Sequence, residues 1–245
     1  MHQTTTFALI PARSGSKSIK DKNLQCVNKK SLLEWSIKAC IKSKNIDRIF
    51  VSTDSEYYAD LAISYGAEVP FLRPLEISGD SSTDTDLFKH FIDNIPFFCD
   101  LPNYIAHIRP TSPLRKPKII DEAIKVFHSQ ILNNYTALRS VHQMPESAYK
   151  SFEIENDQLK LLCNKSKNLD IANNARQSFP KTYIANGYVD IISVEFLKRT
   201  NLMHGTKVLP FITEEVLEVD SQFELDLIEN IASMRNDYYE GIFEE

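Results

Sequence analysis

Two short apolar runs, residues 7–10 (FALI) and Arg48–Ser52 (RIFVS), bracket one amphipathic stretch. No other feature constrains the fold as much. Each run is β-rich, short and bounded by turn chemistry, as buried strands are. Between them Leu33, Ile37, Cys40 and Ile41 recur at helical spacing, with Ser31 at the N-cap position and Glu34 where a capping box needs it. Strand, helix and strand in that order form a βαβ crossover, and strands so joined run parallel.

The alternation continues. Helices are predicted over residues 56–65, 84–95 and 117–131, the last opened by Pro117, with extended segments at 67–71 and 104–108. Residues 187–193 (GYVDIIS) resume the pattern and residues 223–234 close it with a helix carrying Leu225, Ile228 and Ala232. The fold expected is a three-layer α/β sandwich on a mainly parallel sheet, with its sites at the carboxyl ends of the strands. A chain of 245 residues, 42% hydrophobic, can bury one such core. Between about 139 and 181 the pattern changes to strand-like pieces and polar turns, which reads as an insertion, a lid or a β-rich arm.

Residues 10–23 (IPARSGSKSIKDKN) set Arg13, Lys17, Lys20 and Lys22 around one glycine directly after the first strand. A solvated turn accounts for the glycine and serines but not for the crowded charge. A Gly/Ser-rich strand-to-helix turn leaves backbone N–H groups free to face an anion. Neither GxxxxGK[ST] nor GxGxxG occurs, so neither of those phosphate motifs is in play. The net charge of −5 excludes a broad nucleic-acid-binding face. Residues 51–54 (VSTD) follow the second strand, with Asp54 read first as a helix cap. Residues 109–115 (RPTSPLR) follow the third, with Thr111 or Ser112 as a cap for the next helix. Glu218 and Asp220, on one face of a strand, could hold Mg²⁺ or form a solvated acidic edge with Glu214, Glu215, Glu224 and Asp226. His107, His142 and Trp35 read as packing residues. Four scattered cysteines suggest reduced thiols, and no run reaches the length of a membrane span. With too short an apolar run for a signal peptide, a cytoplasmic location without a membrane partner is expected.

Taken in order, IPARSGSKxIxxKN, VSTD, EVPFLRP, RPTSPLR, ARQxxPxxYxxNG and VDS closely resemble the motifs of the CMP-acylneuraminate synthetases (acylneuraminate cytidylyltransferases), over nearly the whole chain. The resemblance implies a Rossmann-like nucleotidyltransferase that moves CMP from CTP to the anomeric 2-hydroxyl of a nine-carbon 2-keto sugar acid. Pyrophosphate leaves, and the activated sugar serves surface glycan synthesis. It implies Mg²⁺ and a homodimer in which a segment near 140–176 reaches into the partner's site, residues 1–139 and 177–245 forming the α/β domain. Arg13, Ser16, Lys17, Lys22 and Asn23 fall on the CTP signature, with Arg13, Lys17 and Lys22 as the catalytic cations. Arg73 and Asp84 fall on further nucleotide positions. Arg109, Lys150, Arg176 and Tyr183 fall on the sugar side, and Asp220 with Glu218 on the metal positions. Two departures stand out: Glu218 replaces an aspartate, and Arg109 stands where some sialic-acid enzymes carry glutamine. They leave legionaminic or pseudaminic acid open as the acceptor. A CMP-Kdo synthetase would carry Thr-Arg where this chain has Ser16-Lys17. A catalytically silent nucleotide-binding regulator is the remaining alternative.

Overall fold

A computed structural model describes residues 4–163, 166 and 168–244. In chain order the elements are β1 (Thr6–Pro11), β2 (Cys26–Val27), β3 (Lys30–Ser31), α1 (Leu32–Lys42), β4 (Arg48–Ser52), α2 (Glu56–Tyr65), α3 (Asp84–Asn94), β5 (Tyr104–His107) and α4 (Pro117–Ser129). They continue with β6 (Ala137–Gln143), β7 (Phe152–Glu155), β8 (Gln158–Leu161), β9 (Tyr183–Ser193), α5 (Val194–Thr200), β10 (Val208–Ile212), α6 (Gln222–Met234) and α7 (Asn236–Phe243). Short 3-10 turns link several of them.

The uniform run in β1 has a simple cause: both of its faces are covered. Phe7 and Leu9 join one apolar cluster with Phe50 of β4, α3 and α5. Ala8 and Ile10 join the other, built on α1, α2, α4, α6 and α7. This makes the expected three-layer sandwich. Trp35 is fully buried in α1, where its indole N–H donates to the Val27 carbonyl at 2.8 Å and Phe243 meets it edge-on. Ser31 caps α1 by accepting from Glu34 N at 3.0 Å, but the Glu34 carboxylate turns to Lys30 instead of closing the box.

The main sheet has the order β10-β6-β9-β5-β1-β4. β4, β1 and β5 run parallel, as do β6 and β10, while β9 runs antiparallel between β5 and β6. Its first residues therefore lie at the same end of the sheet as the last residues of β1, β4 and β5. A bulge interrupts β9: a step of two residues along β6, from Arg139 to Val141, matches five along β9, from Asp190 to Ala185. Bulges of this kind re-aim a strand beside a site.

Several expectations need correction. Residues 67–71 form no strand; Glu68 makes one isolated bridge to Phe50. The change of character at 139–181 does not begin a separate segment, because residues 140–143 belong to β6 and pair with β9 or β10. Beyond them the segment contains the β7–β8 hairpin and short 3-10 turns. β10 and α5 were not predicted from periodicity. Among the described residues, no helix is long and apolar enough to cross a membrane, and all four cysteines are free thiols.

Candidate active site

The loops after β1, β4 and β5 converge on one cleft at the carboxyl end of the parallel strands. Arg13, Ser16, Lys22, Asn23, Arg73, Asp84 and Arg109 all line it. Seven residues singled out from four separate stretches of sequence thus meet.

The basic loop is held open by its neighbours. Asp54 accepts from Ser14 N at 2.7 Å and from Ser14 Oγ at 2.8 Å. It is therefore an anchor for the loop, and the cap of α2 is Ser55, which accepts from Tyr58 N. The Asn23 amide donates to the Arg13 carbonyl at 3.0 Å, fixing the loop's inner turn. Arg13 reaches the Ser78 carbonyl at 3.2 Å and Asp80 at 2.9 Å, and Lys17 also pairs with Asp80. Lys17 and then Arg13 hold the Asp80 carboxyl below its ordinary range. Lys17 itself projects into solvent and does not line the cleft, and Lys20 is likewise on the exposed side.

Arg73 is nearly buried, and its Nε and Nη2 have no hydrogen-bond partner. Burial lowers its pKa, and Arg13 adds to that against Asp54 and Asp84. A buried guanidinium left without partners costs several kcal/mol, roughly, unless an anion completes it. The cleft wall therefore carries a cation prepared for a negative ligand.

Asp84 and Arg109, expected on the nucleotide and the sugar side respectively, meet in an ion pair of 2.8 Å. Burial opposes charge on Asp84, but the Arg109 guanidinium paired with it holds its carboxyl below the usual range. Burial also opposes charge on Arg109, and Asp84 reverses the effect, raising its pKa. Behind them His107 is fully buried, and burial pushes it down to about 4. It is a packed, neutral histidine against Phe88, as its sequence context suggested.

Glu218 and Asp220 do not lie on a regular strand. The segment is extended and tied by Val219 N to the Thr111 carbonyl at 2.7 Å. Asp220 is engaged by Lys22 Nζ at 2.9 Å. Glu218 is half-buried against Gly187 and beside Arg109, and burial raises its pKa. Among the described residues no group of three or more His, Cys, Asp or Glu converges. Mg²⁺ commonly takes only one or two carboxylates and completes its shell with water and substrate phosphates. Asp220 at the cleft rim fits that use, and a cage made wholly of protein ligands does not.

Lys150, Arg176 and Tyr183 do not reach this cleft within one chain. Lys150 pairs with Glu146 at 3.3 Å, Arg176 lies beside the Met144 carbonyl, and Tyr183 is exposed at the start of β9. Arg115 went unassigned in the sequence, yet it is the hub of the site. It is fully buried and donates to the carbonyls of Tyr188, Arg109 and Gly187. The signal was present as the second arginine of RPTSPLR. Neither Thr111 nor Ser112 caps α4; Lys116 occupies that position without a side-chain bond, and Pro117 opens the helix.

A cytidylyltransferase family model matches residues 7–242. The chain is 30% identical over 248 aligned positions to the N-acylneuraminate cytidylyltransferase of Escherichia coli O18:K1:H7 (strain RS218 / NMEC), covering 98% of this chain and 56% of that protein. It is 39% identical over 124 positions to the CMP-N,N'-diacetyllegionaminic acid synthase of Legionella pneumophila subsp. pneumophila (strain Philadelphia 1 / ATCC 33152 / DSM 7513), 49% of this chain and 52% of that one. The chain thus spans or matches little more than half the length of each. A CMP:2-keto-3-deoxy-manno-octonic acid synthetase complexed with CTP superposes with a TM-score of 0.69 at 11% identity, covering 94% of this chain and 99% of that one. That likeness establishes the fold.

Proposed function

Because the chain belongs to the cytidylyltransferase family, we propose that it transfers CMP from CTP to the anomeric 2-hydroxyl of a nonulosonic acid, releasing pyrophosphate. The observation that carries this reading is Arg73, a buried guanidinium with unpartnered nitrogens on a cleft that also presents Arg13 and Lys22. A triphosphate supplies the missing acceptors.

In this reading Arg13 and Arg73 orient the phosphates, Lys22 offsets the charge that builds on them, and Lys17 swings from the rim to join them. Ser16 and Asn23 fix the loop against the nucleotide. Such transfers draw most of their rate from positioning and charge stabilisation, and removing one stabilising donor costs roughly 3–4 kcal/mol. Asp220 is the residue that would hold Mg²⁺, which when bound neutralises phosphate charge. The Lys22–Asp220 pair keeps both groups at the rim until the substrate parts them. Lys150, Arg176 and Tyr183, remote from the cleft of their own chain, serve the acceptor site of a second copy, which makes the working unit a homodimer of the cytoplasm.

Pyrophosphate release with CTP and Mg²⁺, tested on N-acetylneuraminate, legionaminate, pseudaminate and Kdo, is the decisive assay. Turnover on one of the first three is expected. Turnover on Kdo alone would make the chain a CMP-Kdo synthetase, and none on any acceptor would make it a silent nucleotide binder.

A further inference from the structure

The bulge in β9 brings two side chains to one point. Gly187 has φ +60°, and a Cβ there would lie 2.5 Å from Glu218 Oε1 and 3.5 Å from Arg109 Nη1. Those two atoms are therefore at most about 6 Å apart. Arg109 spends Nη2 on Asp84 and leaves Nη1 without a partner among the described residues. Glu218 makes no hydrogen bond or ion pair among them either. A donor and an acceptor thus stand within about 6 Å of each other on the Arg109 side of the cleft and are not closed on each other.

We propose that Arg109 Nη1 and the Glu218 carboxylate together grip one hydroxyl of the acceptor sugar, which makes Glu218 a specificity residue rather than a metal ligand. This rests on the reaction proposed above and adds the acceptor group that the pair reads. The spacing selects that group. A hydroxyl oxygen accepts from one partner and donates to another at a roughly tetrahedral angle, which sets the two about 4.5–5 Å apart. A trans secondary amide directs its C=O and N–H to opposite sides and needs partners about 7 Å apart. A carboxylate offers Glu218 no proton and meets its charge. Of these three groups, the hydroxyl is the one that satisfies both partners within the available distance.

The metal alternative asks for a different geometry. Asp220, two residues on, is engaged by Lys22, whereas Glu218 lies against Gly187 on the Arg109 side. Asp84 and Gly187 are then positioning residues: Asp84 holds the Arg109 fork, and the missing Cβ at position 187 makes room for the carboxylate.

The test measures pyrophosphate release by wild type, Glu218→Gln and Glu218→Ala, varying acceptor, CTP and Mg²⁺ in turn. Loss of a hydrogen bond to a charged group should raise the acceptor KM of Glu218→Ala about tenfold or more. The CTP KM and the half-saturating Mg²⁺ should stay within about twofold of wild type by the same reasoning. Glu218→Gln keeps the shape of the side chain and guards against a folding defect, and CTP binding followed by calorimetry confirms an intact cleft in both variants. Arg109→Ala combined with Glu218→Ala should cost less than the two single losses together, because one hydroxyl serves both. A raised Mg²⁺ requirement with an unchanged acceptor KM would overturn the proposal in favour of a metal ligand. An unmoved acceptor KM in a variant that otherwise turns over would also sink it. A wild type that turns over no acceptor strikes at the proposed reaction instead, so the two failures are distinguishable.

Discussion

Arg115 shows how one side chain can organise a site without touching substrate. Its guanidinium is fully buried, and it donates at 2.5 Å to Tyr188 O, 2.9 Å to Arg109 O and 3.2 Å to Gly187 O. These carbonyls belong to the bulge and to the loop opposite, where no sheet partner reaches them. Arg115→Met should therefore cost roughly 3 kcal/mol or more in a urea titration, since each buried acceptor left unpaired costs about 1–3 kcal/mol. Arg115→Lys should recover little of it, because a point cation cannot reproduce the planar fork. His107 carries a different liability. It is enclosed by Asp84, Arg109, Asp190 and His204, and burial pushes its pKa down to about 4 from the ordinary 6.5 of a histidine. Between those values the unfolded chain binds the proton and the folded one does not, so stability falls as pH drops from about 6.5 to about 4. A melting-temperature series across that window should decline for wild type and less steeply for His107→Gln, since burial also holds His90 and His128 below the ordinary histidine value. Losses by carboxylates such as Asp190, held low by its cationic neighbours against burial, enter only below their ordinary range.

Elements carry the next lesson: the cleft is shaped by connections that anchor one another. The basic loop after β1 owes its form to Asp54 at the end of β4, through two bonds to Ser14. Asp54→Ala should raise the CTP KM about tenfold and leave the acceptor KM within twofold, since about two hydrogen bonds to a charged group then have to be replaced by ordering on binding. Initial-rate kinetics with each substrate varied would read the difference. α3 begins with a full capping box between Thr83 and Asp86, which sets Asp84 at its first position. Local periodicity found α1, α2, α3, α4 and α6 because each has one apolar face and a recognisable start. It did not find β10, whose five residues include Pro210 at a sheet edge, where proline demotes a strand signal. Nor did it give the direction of β9, since an apolar run reads the same parallel or antiparallel. That direction is what delivers Gly187 to the cleft. The crowded cations of residues 10–23 stood out in the sequence, and two of them, Arg13 and Lys22, do line the cleft. Arg115 and Asp54 were not, because their partners are main-chain atoms and a serine far away in sequence.

For the molecule as a whole, the β7–β8 hairpin stands apart from the packed core. Phe152, Ile154, Leu159 and Leu162 are all exposed on it or at its end. Contiguous apolar surface of this kind marks an interaction site, in keeping with the proposed homodimer. Replacing Ile154 and Leu159 together with lysine should convert a dimer to a monomer in light scattering and remove turnover, while CTP binding persists because the cleft cations lie on the other part of the chain. The long strand β9 gives this arrangement a mechanical meaning. Its first residues, from Tyr183, are exposed beside the arm, and its last are sealed in the sheet, with the Arg115-pinned bend at Gly187 between them. No loop separates its outer end from the bend beside Arg109 and Glu218, so the arm and the cleft share one continuous strand. In the proposed homodimer, any change in CTP affinity that docking of the arm brings about through this strand is matched, by linkage, by an equal change in the strength of docking when the cleft fills.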